Sequence, residues 1–383
     1  MNKPLRLIEL FAGYGSQALA LDYLNIPYES WFVCDFDKYA IQSYNDIHNT
    51  NYVPADITKI SANDMNIIDT KNYDYLLTYS FPCTDLSNAG KQAGMTKGSG
   101  TRSGLLWEVE RLLSECKELP QYLLMENVPQ VIGKKNIDDF KNWCEFLTTL
   151  GYTNSYKVLN AKDYGIPQNR ERCFMISVLN GKKFKFPEKQ NLTLALKDML
   201  ETVVDDKYYL SDKAIKGGLN SSYSKNKLKN RIMNDKPIHP TICARYDGAP
   251  SLIVDADMNG STLKEQLCNY LIANNLVKEN DIITHSYSRM RVNNKVNNNL
   301  CATLTTRADC FGVCVKQHSF LRIRKLTPKE CLRLMGVKDK EIDKFTVSNN
   351  QKYKQAGNSI VVNVLMAIFK NLFIDKKFEN GLF

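Results

Sequence analysis

Histidine and tryptophan are scarce in this chain of 383 residues, which holds four histidines and three tryptophans. The histidines lie far apart, and the closest cysteine pair, Cys310 and Cys314, has no second pair with which to complete a zinc site. We therefore predict no metal. The eleven cysteines are scattered and odd in number, which indicates reduced thiols rather than a disulfide framework.

The chain also lacks long apolar runs. No stretch reaches the roughly 18 uncharged apolar residues that a membrane-spanning helix needs. The start, MNKPLRLIELFAG, has neither the apolar region nor the cleavage site of a signal peptide. With an apolar fraction of 43%, the sequence predicts a cytoplasmic globular protein with no membrane partner.

Negative charge is outweighed by positive charge, and the formal net charge is +10. This balance favours an anionic partner, with nucleic acid as the first candidate. A solvated lysine-rich surface would give the same number, so the charge alone decides little.

Apolar strand-like runs alternate with amphipathic helix-like runs over the first half of the chain. This alternation predicts an α/β fold with a doubly wound, mostly parallel sheet, in which ligands bind at the carboxyl ends of the strands. The predicted strands are 5–11, 30–37, 51–57, 73–81, 121–128 and 172–179, and the predicted helices are 16–24, 101–119 and 140–151.

The composition changes near residue 182, where Asn, Lys, Ser and Gly become frequent. Short β-like runs replace the alternation of strand-like and helix-like runs. The helical pattern returns near residue 322, with predicted helices at 326–336 and 359–373. We predict a catalytic and cofactor-binding domain over 1–184, a smaller β-rich inserted domain over 185–321, and a return to the first domain over 322–383.

A glycine loop, Gly13-x-Gly15-x-x-Ala18, follows the first predicted strand and precedes the first helix. Asp35, about 20 residues further, ends the next predicted strand, where a carboxylate can accept ribose hydroxyls. Phe36 would cover an adenine ring, and Asp56 with Ile57 would meet its amino group and apolar edge. The pattern fits NAD, FAD or S-adenosylmethionine equally well.

Four further segments stand out: SFPCTDLS (80–87), MENV (125–128), QNRER (168–172) and QAGNS (355–359). Each alone has an ordinary structural explanation, such as a packed cysteine, a turn, a solvated charge run or a helix cap. Their order behind an adenosyl-cofactor loop favours one catalytic site.

Taken together, these segments resemble the cytosine-C5 DNA methyltransferase family, in its prokaryotic or phage DNA-modification type. LRLIELFAGYGS is similar to the family's cofactor motif, FPCTDLS to its nucleophile motif, and LLMENV and QNRER to its glutamate and arginine motifs. GTRSGLLWEVER, RKLTPKECLRLMG and QAGNSIVVNVL resemble three further motifs in the family's order. The unmatched middle lies where the family keeps its target recognition domain.

The resemblance implies a methyl transfer from S-adenosyl-L-methionine to carbon 5 of a flipped-out cytosine in double-stranded DNA, leaving S-adenosyl-L-homocysteine. Cys83 would add to C6 as a thiolate, Glu126 would donate toward N3, Arg172 would hold O2, and Arg170 would support the site.

The resemblance also implies two sets of binding residues. The cofactor contacts would be Phe11, Tyr14, Gly15, Asp35, Phe36, Asp56, Ile57, Pro82, Leu105, Asn358 and Ser359. The DNA contacts would be Ser87, Arg102, Arg245, Thr303, Leu304 and Arg307, with Arg289 and Arg291 as further guanine contacts and the lysines of 225–231 at phosphates.

The sequence departs from the family pattern at Thr84, where glutamine is usual, and at Ser16, where a third glycine is usual. The early first motif predicts a stand-alone prokaryotic or phage modification enzyme. We also expect a monomer, and a cognate restriction endonuclease that would act separately. The alternatives are a tRNA cytosine-C5 methyltransferase, a dinucleotide oxidoreductase that leaves Cys83, Glu126 and Arg172 unexplained, and an inactive DNA-binding relative.

Overall fold

The structure is a computed structural model that describes residues 3–87, 93–209, 301–302, 312–313 and 324–379. Its centre is a six-stranded sheet with the strand order β2–β1–β3–β4–β7–β5. Its strands are β1 (Leu5–Leu10), β2 (Tyr28–Cys34), β3 (Asp74–Tyr79), β4 (Tyr122–Asn127), β5 (Tyr152–Asn160) and β7 (Glu171–Leu179).

The sheet is mostly parallel, because β1 pairs with β2 and β3, and β3 pairs with β4, all in parallel. β7 runs antiparallel both to β4 and to β5. Two short ladders lie outside this sheet: β6 (Gln168–Asn169) pairs with β8 (Cys301–Ala302), and β9 (Gly312–Val313) with β10 (Arg324–Lys325). The predicted α/β fold class is confirmed.

Helices cover both faces of the sheet. The first half of the chain supplies α1 (Ser16–Tyr23), α2 (Lys38–His48), α3 (Ala62–Met65), α4 (Leu106–Glu115) and α5 (Ile137–Thr149). The C-terminal part supplies α6 (Pro328–Arg333), α7 (Asp339–Ile342), α8 (Asn349–Asn358) and α9 (Val362–Phe369), which continues as a π-helical turn, Lys370–Ile374.

The side chains of the central strands β3, β4 and β7 alternate between two hydrophobic clusters, as the pleat requires. Leu76 of β3 faces a cluster that contains Leu19 of α1 and Leu365 of α9. Leu77, the next residue, faces the opposite cluster, which contains Leu112 of α4 and Trp143 of α5. The C-terminal helices therefore belong to the same core as the first helix of the chain.

Local sequence signals explain where several helices begin. Asp37 caps α2 by accepting a hydrogen bond from Tyr39 N at 2.9 Å. Thr327 and Glu330 form a capping box at α6, with Pro328 at its first position.

Several elements differ from the sequence prediction, among them α2 (Lys38–His48), over which no helix was predicted. Residues 51–57 do not form a strand; Pro54 has no N–H to donate, and Ala55 N makes a single bond to Asp35 O at 2.9 Å. The sequence reading also missed β5, a half-exposed strand rich in polar residues, and α8, a mostly polar helix whose apolar spacing is weak.

Residues 185–209 pack against the C-terminal helices. Phe186, Leu196 and Met199 are buried in the cluster that includes α9, and Arg333 Nη1 donates to Met199 O at 3.1 Å. The domain boundaries 1–184, 185–321 and 322–383 stay a prediction, because most of the middle range lies outside the described residues.

Among the described residues, no single helix has the length and apolar composition needed to cross a membrane. The bent pair Asn349–Asn358 and Val362–Ile374 passes that test only when both helices are combined.

Candidate active site at the carboxyl edge of the sheet

The loops that carry the motif residues meet at one edge of the sheet. β1, β2, β3 and β4 are mutually parallel, so the segments that follow them emerge at the same edge. β7 is antiparallel to β4, with Asn127 opposite Cys173. Its first residues therefore lie at that edge too, and Arg172 comes next to the end of β4.

The glycine loop after β1 packs closely against α2. Gly13 and Gly15 have positive φ angles of 59° and 81°, as does Phe11 with 58°. A Cβ atom on Gly15 would lie 2.3 Å from His48 Nε2 and 2.7 Å from Tyr44 Cε2, whereas one on Gly13 would meet nothing within 4 Å. Gly15 is therefore required both by its conformation and by the contact with α2.

Asp35 links the glycine loop to the end of β2. Its Oδ2 accepts from Gly13 N and its Oδ1 from Asp37 N, both at 2.9 Å. Burial raises the pKa of the Asp35 carboxyl, and the two backbone donors oppose that rise. Each carboxylate oxygen keeps further acceptor capacity beyond these bonds.

The other predicted cofactor residues surround this loop. Phe36 is 71% exposed, and Ile57 is buried beside the exposed Asp56. Thr58 N and Oγ1 donate to Asp56 Oδ1 at 3.0 and 2.9 Å, and the backbone donor is the larger reason why the Asp56 pKa is lowered.

The turn between α8 and α9 joins the glycine loop through Tyr14. The Tyr14 hydroxyl donates to Ser359 Oγ at 2.8 Å, and Asn358 is exposed at the end of α8. Pro82 and Leu105 are half-buried on the neighbouring segments after β3 and before α4.

Cys83 lies in a tight turn after β3. Its carbonyl accepts from Leu86 N at 3.1 Å and from Ser87 N at 2.9 Å, and Asn127 Nδ2 donates to Phe81 O at 2.9 Å. Burial raises the pKa of the Cys83 thiol, and the positive charge of Arg172 opposes this rise. A cationic neighbour is the feature that makes a thiolate accessible.

Glu126 and Arg172 form an ion pair at the end of β4. Arg172 Nε lies 3.1 Å from Glu126 Oε1, and the Glu126 side chain is 9% exposed. Burial raises the pKa of Glu126, while Arg172 and then Arg170 act in the opposite direction. A carboxyl with a raised pKa is suited to hold and donate a proton.

Arg170 is 3% exposed and turns toward the α8–α9 turn. Its Nη2 donates to Gly357 O at 2.9 Å and to Ser359 O at 2.6 Å. Burial, followed by the charge of Arg172, lowers the pKa of this guanidinium. Arg170 thus connects the start of β7 to the segment that also contacts Tyr14.

Several residues of the site were missed by the sequence reading. Asp85 and Ser103 hold the Cys83 turn, Asn127 holds Phe81, and His48 supports the glycine loop. Asn127, Asp85 and Ser103 lie within the motif segments MENV, SFPCTDLS and GTRSGLLWEVER, but their roles depend on contacts between segments that are distant in the chain. His48 lies in no such segment.

Only two of the predicted DNA contacts, Ser87 and Arg102, are among the residues that the structure describes. Ser87 is half-buried beside Cys83, and Arg102 is exposed just before α4. Arg245, Arg289, Arg291, Thr303, Leu304, Arg307 and the lysines of 225–231 lie outside the described residues. Within the described ranges, no three His, Cys, Asp or Glu side chains form a group that could hold a metal ion.

Comparisons with known proteins agree on one family. The model of the family described as C-5 cytosine-specific DNA methylase matches residues 5–374. The type II methyltransferase M2.ScrFI of Lactococcus lactis subsp. cremoris is 35% identical, covering 96% of this chain and 99% of that protein. The orphan methyltransferase M.SssI of Spiroplasma monobiae is 34% identical, covering 69% of this chain and 84% of that protein.

A solved structure shows the same fold. The Dnmt2 methyltransferase of S. pombe superposes with a TM-score of 0.64 at 20% identity, covering 98% of this chain and 100% of that one. The predicted family and enzyme class are confirmed by the family match and the relatives: the chain belongs to the C-5 cytosine-specific DNA methylase family and is a DNA cytosine-5-methyltransferase.

Proposed function

We propose that the protein transfers the methyl group of S-adenosylmethionine to carbon 5 of a cytosine flipped out of a specific site in double-stranded DNA, through a covalent bond between Cys83 and C6. The observation that carries the proposal is that Cys83 lies at the same sheet edge as the Glu126–Arg172 ion pair, whose Oε1 and Nε atoms are 3.1 Å apart, and that the charge of Arg172 acts on the Cys83 thiol.

The residues at the glycine loop fit S-adenosylmethionine, which supplies an electrophilic methyl group when bound. Asp35 would accept the ribose hydroxyls with the acceptor capacity that Gly13 N and Asp37 N leave. Phe36, 71% exposed, would cover the adenine, while Asp56 and Ile57 would meet its amino group and edge. The contacts proposed to complete the pocket are Phe11, Tyr14, Gly15, Pro82, Leu105, Asn358 and Ser359.

Carbon 5 of cytosine becomes nucleophilic only when electrons are pushed into the ring. The Cys83 thiolate would form a bond to C6, and Glu126 would donate its proton toward N3 to neutralise the charge that develops there. Arg172 would hold O2, and Arg170 would keep the surrounding segments in place. After C5 takes the methyl group, a base such as water takes the C5 proton, and the Cys83–C6 bond breaks to release the thiolate and restore the C5–C6 double bond. N3 then returns its proton to Glu126.

The reaction requires the cytosine outside the duplex, since the ring is stacked within it. Ser87 and Arg102, on the segments that flank the site, are proposed to contact the DNA near the displaced base. Arg245, Thr303, Leu304 and Arg307 are proposed to read the target sequence.

Tritiated S-adenosylmethionine and duplex DNA test the proposal, with wild type compared to Cys83→Ser and to Cys116→Ser. Cys116 is a half-buried cysteine at the end of α4, at the opposite edge of the sheet. We expect transfer by wild type and Cys116→Ser and none by Cys83→Ser.

Nucleoside analysis should then find the tritium label on cytosine. Bisulfite sequencing of the methylated DNA should locate the methylated cytosine in one short sequence. Undiminished transfer by Cys83→Ser, label on adenine, or transfer to tRNA instead of duplex DNA would each contradict the proposal.

A further inference from the structure

Two polar side chains, Asp85 and Ser103, are buried where the Cys83 turn meets the start of α4. Ser103 is 0% exposed and Asp85 is 9% exposed. The two residues are distant in sequence, and the segment that Ser103 begins, a short 3₁₀ turn (Ser103–Leu105), runs directly into α4.

The Ser103 hydroxyl bridges the two sides of the Cys83 turn. It donates to Pro82 O at 2.6 Å and accepts from Asp85 N at 3.3 Å. One hydroxyl group thus fixes the residue before Cys83 and the backbone two residues after it.

Asp85 makes the reciprocal connection. Its Oδ2 accepts from Arg102 N at 2.9 Å and from Ser103 N at 3.3 Å, at the start of the helical segment. A carboxylate at this end of a helix is favoured by the helix dipole as well as by the two donors. The Asp85 carbonyl also accepts from Gly94 N at 3.0 Å.

We propose that Asp85 and Ser103 form a clamp that positions the Cys83 thiol for attack on C6, so that both are positioning residues of the methyl transfer. The inference rests on the proposed nucleophilic role of Cys83. The proposal agrees with the environment of the residues that follow Cys83. Thr84 is exposed, whereas the next residue, Asp85, makes the buried polar contacts.

The clamp holds the backbone on both sides of Cys83 and thereby fixes the position of its thiol. α4 is anchored in the core by Leu106 and Val109, both 0% exposed. The Cys83 turn is bonded to Arg102 and Ser103, at the start of the 3₁₀ turn that leads directly into this rigid helix. An error of about 1 Å in the placement of a reacting group costs about 100-fold in rate.

The test uses a duplex whose mapped target cytosine is replaced by 5-fluorocytosine. With S-adenosylmethionine present, methyl transfer leaves C5 bearing fluorine where the departing proton would be, so the elimination that breaks the Cys83–C6 bond is blocked and the covalent complex accumulates. The variants are Asp85→Ala, Asp85→Asn, Ser103→Ala and the double variant Asp85→Ala with Ser103→Ala.

Asp85→Ala and Ser103→Ala should slow adduct formation and lower kcat by about 10- to 100-fold at saturating S-adenosylmethionine, and Kd for S-adenosylmethionine should change much less than kcat. Asp85→Asn should retain more activity than Asp85→Ala, because its amide oxygen can accept the same two N–H groups. The double variant should fall little below the single ones, since both residues serve one contact set.

Glu118→Ala is the matched control. Glu118 likewise accepts two backbone N–H groups, from Asp69 at 3.2 Å and Thr70 at 2.8 Å, but just before β4, at the amino edge of the sheet. It should lose stability without any change in the rate of adduct formation.

The outcomes separate this inference from the proposed function. If wild type forms no adduct, the nucleophilic role of Cys83 fails. If wild type forms it, Cys83→Ser does not, and both Asp85→Ala and Ser103→Ala form it at the wild-type rate, the clamp is overturned. It is also overturned if Ser103→Ala loses S-adenosylmethionine binding or melts at a much lower temperature than Glu118→Ala, because its role is then only structural.

Discussion

At the scale of single residues, Gly15 shows how a backbone conformation and a packing contact restrict the same position. Its φ is 81°, and its missing Cβ would lie 2.3 Å from His48 Nε2. Gly13 has a similar φ of 59° but open space around it. An alanine at Gly13 would therefore meet only the strain of the positive φ, whereas an alanine at Gly15 would also overpack against α2.

We expect Gly13→Ala to lower the free energy of unfolding by about 1–2 kcal/mol, the cost of a left-handed conformation. Gly15→Ala should lower it by about 2–4 kcal/mol, because overpacking against His48 and Tyr44 adds to that cost. Urea unfolding of the two variants measures the difference, and equal losses would contradict the contact with α2.

Glu9, fully buried in β1, is a second position where the environment decides the chemistry. Tyr44 OH donates to its Oε2 at 2.7 Å. Burial raises the pKa of Glu9 from 4.5 to about 8, with the Tyr44 hydrogen bond opposing the rise. At neutral pH the carboxyl therefore keeps its proton.

The pH dependence of stability follows from this. Between pH 4.5 and about 8 the folded state binds a proton that the unfolded state has released, so stability falls as the pH rises through that window. Glu9→Gln, which imitates the protonated acid, should resemble wild type near pH 4.5 and gain several kcal/mol over it above pH 8. Urea unfolding at both pH values measures this gain, and a difference independent of pH would refute the raised pKa.

At the scale of elements, the turn between α8 and α9 connects the glycine loop to the start of β7. Tyr14 OH donates to Ser359 Oγ at 2.8 Å, and Ser359 O accepts from Arg170 Nη2 at 2.6 Å. The two predicted ligand sites thus share one turn, although its residues come from the far end of the chain.

Tyr14→Phe should cost about 1 kcal/mol of stability, the typical contribution of a hydrogen bond, and weaken S-adenosylmethionine binding in calorimetric titration. Tyr23→Phe is the control, because Tyr23 OH similarly donates to Glu341 Oε2 at 3.1 Å but lies in α1, away from the loop. If both variants bind S-adenosylmethionine like wild type, the turn does not shape the cofactor site.

At the scale of the whole molecule, the net charge of +10 agrees with an enzyme that acts on DNA. Lys225, Lys227 and Lys229 are predicted phosphate contacts. Lys3, Lys71 and Lys117, in contrast, precede β1, β3 and β4 at the edge opposite the site. Both sets carry three positive charges.

Changing Lys225, Lys227 and Lys229 to Ala should reduce the slope of log Kd for DNA against log salt concentration by up to about three, at about 0.9 per lost phosphate contact. The same change at Lys3, Lys71 and Lys117 should leave the slope close to the wild-type value. Equal effects of the two sets would show that charge alone, rather than a defined DNA-binding surface, determines the salt dependence.

The sequence by itself determined the order of the motifs, the α/β fold class and the residue types of the site, because strand periodicity, the glycine loop and the Cys83 and Glu126 segments are local patterns. It did not determine that β7 runs antiparallel to β4. In a fully parallel sheet Arg172 would lie at the opposite edge from Glu126, since it begins its strand.

Only the tertiary structure decided that pairing, the contact between Gly15 and His48, and the hydrogen bonds that join Asp85 and Ser103. Each joins residues distant in the chain through hydrogen bonds or close packing. Such contacts depend on how whole elements are placed against the core, and no periodicity or spacing within either segment encodes them.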